Sequence, residues 1–273
     1  ILLESAPEAI QADARRTLAP VWVTVAVPKD ARAGVYTGEL VVEAEGLSAT
    51  KVPVTLDVQD WTLPDSQAYR TWMDFVQSPD TLSLEYNVPL WSQKHWELIQ
   101  RSFRLIRDTG SRVLYVPLLA HTNLGNDESM VRWIEKGNNR FEHDFTVMDK
   151  YLDLAEKHLG KPKIVVFNVW DVYMIPKKNP TAGQGGGHRR MVGSFDAEQA
   201  AKMGTGPLVT VVDAKGGKTD SAYLPTFFEP AAKGIWQPLF AALRQRMKRR
   251  GLEDAMMLGM VTDAYPSKEE VTL

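Results

Sequence analysis

The chain has 273 residues, 44% hydrophobic and 24% charged, with a formal net charge of −2. Those values describe a globular protein with room for two domains and nothing to draw nucleic acid or an acidic membrane. The absence of cysteine excludes disulfides, thiolate metal sites and Cys nucleophiles, and no apolar run approaches the roughly 18–20 residues of a membrane span.

The chain opens on Ile1-Leu2-Leu3-Glu4 with no Met, so it is expected to be the inside of a longer protein. Residues 1–20 have no clear period. From 21 the pattern has period two: Val21, Val23, Val25 and Val27 alternate with Trp22, Thr24 and Ala26, and Pro28 stops the run. A turn at 29–34 leads to a second strand over 35–44. Glu45-Gly46 turns again, and Val52, Val54, Leu56 and Val58 place a third strand at 50–58. Short alternating strands between turn residues predict an antiparallel β-sandwich over residues 1–62. Three strands do not close a sandwich, so further strands are expected upstream. Pro64 and its polar neighbours mark a linker at 63–68.

Beyond the linker the period changes. Residues 69–76 read as a strand. Ser92 caps a helix over 93–109 with Trp96, Ile99, Phe103 and Ile106 on one face. The helix ends on Arg107-Asp108-Thr109-Gly110, and an apolar strand follows at 112–118. The unit repeats twice: a helix at 145–159 stopped near Gly160 feeds a strand at 164–167, and a helix at 236–250 stopped at Gly251 feeds a strand at 256–261. Helices that end beside a Gly and feed apolar strands predict βα units and a parallel sheet.

Four such strands are half of an eight-stranded barrel. The expected fold is therefore multidomain: a partial antiparallel sandwich, then the first half of a (β/α)8 barrel over 69–273. Ser267 followed by Glu270 is a capping box, so another helix is expected to begin there, with the remainder of the barrel supplied by the same protein. A small open sheet complete in itself is the other reading. Two connections are long. Residues 119–144 hold a small hairpin around 133–141. Residues 171–235 hold a glycine run at 183–187 and a strand-like stretch at 208–213. That run lacks the Gly-Lys-Ser/Thr ending of a phosphate loop and reads as a lid.

The five histidines are scattered, and no spaced pair or acidic cluster suggests a metal. No cofactor is expected. His158, in a helix's last turn, reads as structural and suits the dipole when charged. Strand ends carry Asp74, His121, Asn168, Trp170, Asp171, Asp263 and Tyr265. Aromatic faces stack on sugar rings, amides and acids bind hydroxyls, and carboxylates cleave glycosidic bonds. The expected ligand is a carbohydrate. Asp263, closing the last buried strand, is the catalytic candidate, with the other six as substrate contacts. The other reading of each acid is a cap or a surface charge, and it is weakest for Asp263, which closes a buried strand and precedes an aromatic.

The stretch from Pro20 to Gly38, then Val58-Gln59-Asp60-Trp61-Thr62-Leu63-Pro64, resembles the sandwich and linker of glycoside hydrolase family 123 and its bacterial relatives. Phe141-Glu142-His143-Asp144-Phe145 also looks like the entry to an early barrel helix of glycosidases. The resemblance implies an exported, periplasmic or extracellular enzyme. It implies a retaining β-N-acetylhexosaminidase in which the substrate's acetamido group is the nucleophile, an adjacent Asp orients it, and a Glu protonates the leaving oxygen. Here the sequence reads Asp263-Ala264-Tyr265-Pro266. The Asp matches; Ala264 stands where the acid belongs. Another carboxylate such as Asp171 or Asp74 then supplies the proton, or the substrate differs, or the barrel binds glycan without cleaving it.

Overall fold

The computed structural model describes residues 20–43, 45–137, 140–171, 174, 205–213 and 218–260. The chain divides into two compact units, Ile1–Pro64 and Asp65–Leu273.

In the first unit, β1 (Gly34–Val42) and β2 (Thr50–Val58) form an antiparallel ribbon in register from Gly34↔Val58 to Val42↔Thr50. Lys51 pairs with Glu39 across it at 2.8 Å. The expected strand at 21–27 is not formed. Its alternation defines two faces but supplies no partner for its backbone groups. Val25 and Val27 instead line a cavity of about 180 Å³ with Tyr36, Leu56 and Val58. Two of the three expected strands are thus present.

The second unit holds a parallel sheet covered on one face by helices. Pro79–Glu85 is α1, with Ser78 as its N-cap and Pro at its start. Gln93–Asp108 is α2; Ser92 Oγ accepts from the His95 N–H at 3.2 Å. Then come β3 (Val113–Pro117), β4 (Arg132–Glu135), β5 (Phe141–Asp144), α3 (Thr146–His158), β6 (Ile164–Asn168), β7 (Leu208–Val212), β8 (Thr219–Tyr223), α4 (Pro230–Arg249) and β9 (Met256–Gly259). The three long helices each end on a glycine at positive φ: Gly110 at 83°, Gly160 at 99° and Gly251 at 63°. A side chain there would cost the turn its left-handed geometry.

The parallel sheet runs β3-β6-β9. Pro117 lies beside Asn168, and Asn168 beside Gly259. Leu114, Val116, Val165 and Phe167 are buried in one core with Ile99 and Phe103 of α2, Met148 and Leu152 of α3, and Leu239 and Leu243 of α4. Each such side chain contributes about 1.5–3 kcal/mol by leaving water. The opposite face, with Tyr115, Val166 and Met257 side by side, is only partly covered. Arg250 ties α4 to α3: its guanidinium donates to Asp153 at 2.6 Å, Glu156 at 2.8 Å and Asp149 at 3.3 Å.

Residues 69–76 do not form the expected first strand; among the described residues the sheet β3-β6-β9 has three strands, not four. Residues 66–69 are held instead by the end of α2. Ser66 Oγ and Gln67 Nε2 both donate to the Arg107 carbonyl, and the Tyr69 ring fills the space a Cβ at Gly110 would need.

The two long connections join each other. β4 pairs antiparallel with β5 and parallel with β7, and β7 pairs antiparallel with β8, giving a second sheet ordered β5-β4-β7-β8. Ser129 and Thr210, both buried, exchange hydrogen bonds: each backbone N–H donates to the other's hydroxyl, at 2.7 and 3.0 Å.

Candidate functional site

The C-terminal ends of β3, β6 and β9 lie side by side, and the ladder continues past them. The Leu118 N–H donates to the Asn168 carbonyl at 3.1 Å, and the Val169 N–H to the Gly259 carbonyl at 3.0 Å. Three of the sequence candidates share the central strand's end. Asn168 is 1% exposed, and neither its Nδ2 nor its Oδ1 has a partner. A buried amide in that state costs about 1–3 kcal/mol for each unmet group. Trp170 is also buried with its Nε1 unpaired, and its ring lies 6.3 Å from that of Phe227. Asp171, 4% exposed, accepts from the Asn123 N–H at 3.0 Å.

His121 is exposed on the loop after β3 in a left-handed conformation, φ 53°. Its N–H donates to the Asn126 carbonyl at 2.7 Å. Asp74 lies elsewhere. Its carboxylate accepts from the Tyr115 hydroxyl at 2.8 Å, in the middle of β3. Burial, with Asp74's hydrogen bond and charge, pushes that phenol up to about 12. Asp263, Ala264 and Tyr265 fall outside the described residues, as do the glycine run at 183–187 and the beginning helix at 267–270.

The structure adds residues that sequence reading missed. Asn126, 1% exposed, is the strut of the 121–128 loop: its Nδ2 donates to the Leu119 and Glu128 carbonyls at 2.8 and 2.9 Å, and its Oδ1 accepts from the Thr122 N–H. Asp80, 3% exposed on α1, accepts from the Asp127 N–H at 2.9 Å. Burial raises its carboxyl to about 6 against the restraint of that bond, and the Asp127 and Glu128 charges add to the rise. His95 is buried. Its Nδ1 accepts from the Trp91 N–H at 2.9 Å and its Nε2 lies 2.8 Å from the Pro79 carbonyl, so burial holds it neutral. His158, read as structural, is also pushed down, by burial and by Lys157 and Arg104. Among the described residues no group of His, Cys, Asp and Glu side chains could hold a metal, and no helix is long and apolar enough to cross a membrane.

A model of the glycoside hydrolase 123 catalytic domain matches residues 76–272. The chain belongs to glycoside hydrolase family 123. The matched span of this family 123 chain includes every strand of the parallel sheet, the amide and acid at the end of β6, and Asp263. A solved structure of a family 123 glycoside hydrolase from Clostridium perfringens, concerned with glycolipid glycan hydrolysis, resembles it with a TM-score of 0.63 at 17% identity. The likeness covers 90% of this chain and 38% of that one, and it is a likeness of fold. The family 123 chain therefore spans 38% of that structure's length. No curated protein matches.

Proposed function

We propose that this chain is part of a glycoside hydrolase that cleaves N-acetylhexosaminide-containing glycans, with Asp263 in its site. The observation that carries the reading is the catalytic-domain match through Asp263. The unpaired Asn168 amide, the Trp170 indole and the acid of Asp171 at the adjoining strand end support it, since a sugar presents hydroxyls and an amide to such groups. The whole protein combines a β-sandwich with a (β/α)8 barrel and acts outside the cytoplasm of a bacterium. Its reaction retains configuration. The acetamido oxygen attacks the anomeric carbon as the glycosidic bond breaks, the leaving oxygen takes a proton, and water opens the cyclic intermediate. Asp263 orients the acetamido group. Ala264 supplies no proton, so another carboxylate serves as the acid: Asp171, whose Oδ2 accepts the Asn123 N–H, Asp74, or one in the remainder of the protein.

The test uses the full-length protein against a panel of aryl N-acetylhexosaminides and oligosaccharides. Turnover that falls by about 10²–10⁴ in Asp263→Asn supports the reading, as does a gain in Ala264→Glu. Turnover unchanged in Asp263→Asn removes that residue from the mechanism. A glycan that binds by calorimetry with no turnover on any substrate favours the second reading, a non-catalytic glycan-binding protein, for which Ala264 speaks.

A further inference from the structure

The loop at 121–128 is gripped along its backbone from two sides. From the end of β6, Asp171 accepts the Asn123 N–H at 3.0 Å. From α1, Asp80 accepts the Asp127 N–H at 2.9 Å, and Ser78 Oγ donates to the Leu124 carbonyl at 2.9 Å. Both carboxylates are nearly inaccessible to water, at 4% and 3% exposed. The loop they hold carries His121 and lies against the strand ends that bear Asn168 and Trp170.

Among the described residues, the charged groups that bear on Asp80 are negative. From the loop come Asp127 and Glu128. Glu128 already receives Arg132 Nη2 at 2.7 Å and Trp91 Nε1 at 2.9 Å. From α2, His95 reaches the carbonyl of Pro79, the residue before Asp80, and its two nitrogens are taken by that carbonyl and the Trp91 N–H. None of these is a cation that compensates Asp80. Among the described residues its charge rests on backbone N–H groups alone.

We propose that Asp80 and Asp171 form a two-carboxylate clamp on the loop at 121–128, and that Asp80 is its proton-responsive jaw. Asp80 is a positioning residue: it acts through the Asp127 backbone. With the loop closed its carboxyl stands near 6; with the loop open it returns to water and to the ordinary value of 3.8. The closed state therefore binds a proton that the open state releases. Closure is favoured in full below about pH 4, weakens as pH rises from about 4 to 6, and is constant above that. The whole change is about a hundredfold in the closed-to-open ratio. Its consequence for catalysis rests on the glycosidase reading; the clamp itself does not.

Backbone hydrogen exchange on the full-length protein at pH 4.5, 5.5 and 7.0, corrected for intrinsic rates, reads the clamp directly. The amides of α2 serve as the reference for global opening. Protection of the Asp127 amide should fall at least about tenfold between pH 4.5 and 7.0 relative to that reference. Asp80→Asn keeps an acceptor and loses the titration, so its protection should be flat. A flat wild-type profile, or a dependence that survives Asp80→Asn, overturns the proposal. Should that variant fail to fold, Asp127→Asn keeps the backbone donor and removes one facing charge. The midpoint must then move down, and an unmoved midpoint refutes the assignment to Asp80. No readout requires turnover, so an inactive protein leaves the test intact.

Discussion

Gly259→Ala probes how tightly the strand ends are fitted together. Gly259 lies beside Asn168, on the face that carries Val166. A Cβ there would sit 2.7 Å from Val166 Cγ1, closer than carbon atoms tolerate, and valine has little rotamer freedom with which to yield. Overpacking of this kind costs about 1–3 kcal/mol. Loss of glycine's freedom in the unfolded chain returns about 0.4–1 kcal/mol. The net loss is about 0.5–2 kcal/mol, which for a unit of this size lowers Tm by about 1–8 °C. The decisive assay is a double-mutant cycle by urea denaturation. Val166→Ala removes Cγ1, so in that background Gly259→Ala should be neutral or stabilising, with a coupling of about 1–2 kcal/mol. Effects that add within about 0.5 kcal/mol would show that the contact does not limit the site's packing.

Arg250→Ala should lose about 1–2 kcal/mol in urea denaturation, because one guanidinium joins three carboxylates. The loss falls toward the low end since the Asp153 side chain is 66% exposed, and it should shrink in 0.5 M salt. His143 is pushed down to about 4 by burial and by Arg246. Unfolding restores its ordinary value of 6.5, so the unfolded chain binds the extra proton and stability falls as pH drops from about 6.5 to 4. His143→Phe should flatten that limb in denaturation midpoints measured across the range; an unchanged limb would assign it to other groups.

The helices of the second unit were legible because their signals are local. Ser92 caps α2, Trp96, Ile99 and Phe103 repeat at its period, and Gly110, Gly160 and Gly251 mark the three ends. The start of α4 was read six residues late, although Pro230 suits a first helical position, where its missing N–H goes unused. Strands fared worse. The alternation at 21–27 and the apolar run at 69–76 have strand-like composition, yet a strand exists only where a neighbour completes its hydrogen bonds, and that neighbour is not written locally. The site divides in the same way. The position of Asn168, Trp170 and Asp171 at a strand end was legible because they follow an apolar run. Asp80 was not, because Ser78-Pro79-Asp80 reads as an ordinary helix start, and its burial comes from a loop more than forty residues away.

The exchange between Ser129 and Thr210 makes the excursions after β3 and β6 one mechanical body. Their strands share a sheet, and Ala120 adds a bond to the Leu208 carbonyl at 2.8 Å. Shortening the first would strip β7 of its β4 neighbour and leave the Thr210 N–H without the Ser129 hydroxyl; grafting the second alone would leave the same gap. A chimera that moves 119–144 and 205–229 together keeps the seam, whereas either half alone tears it.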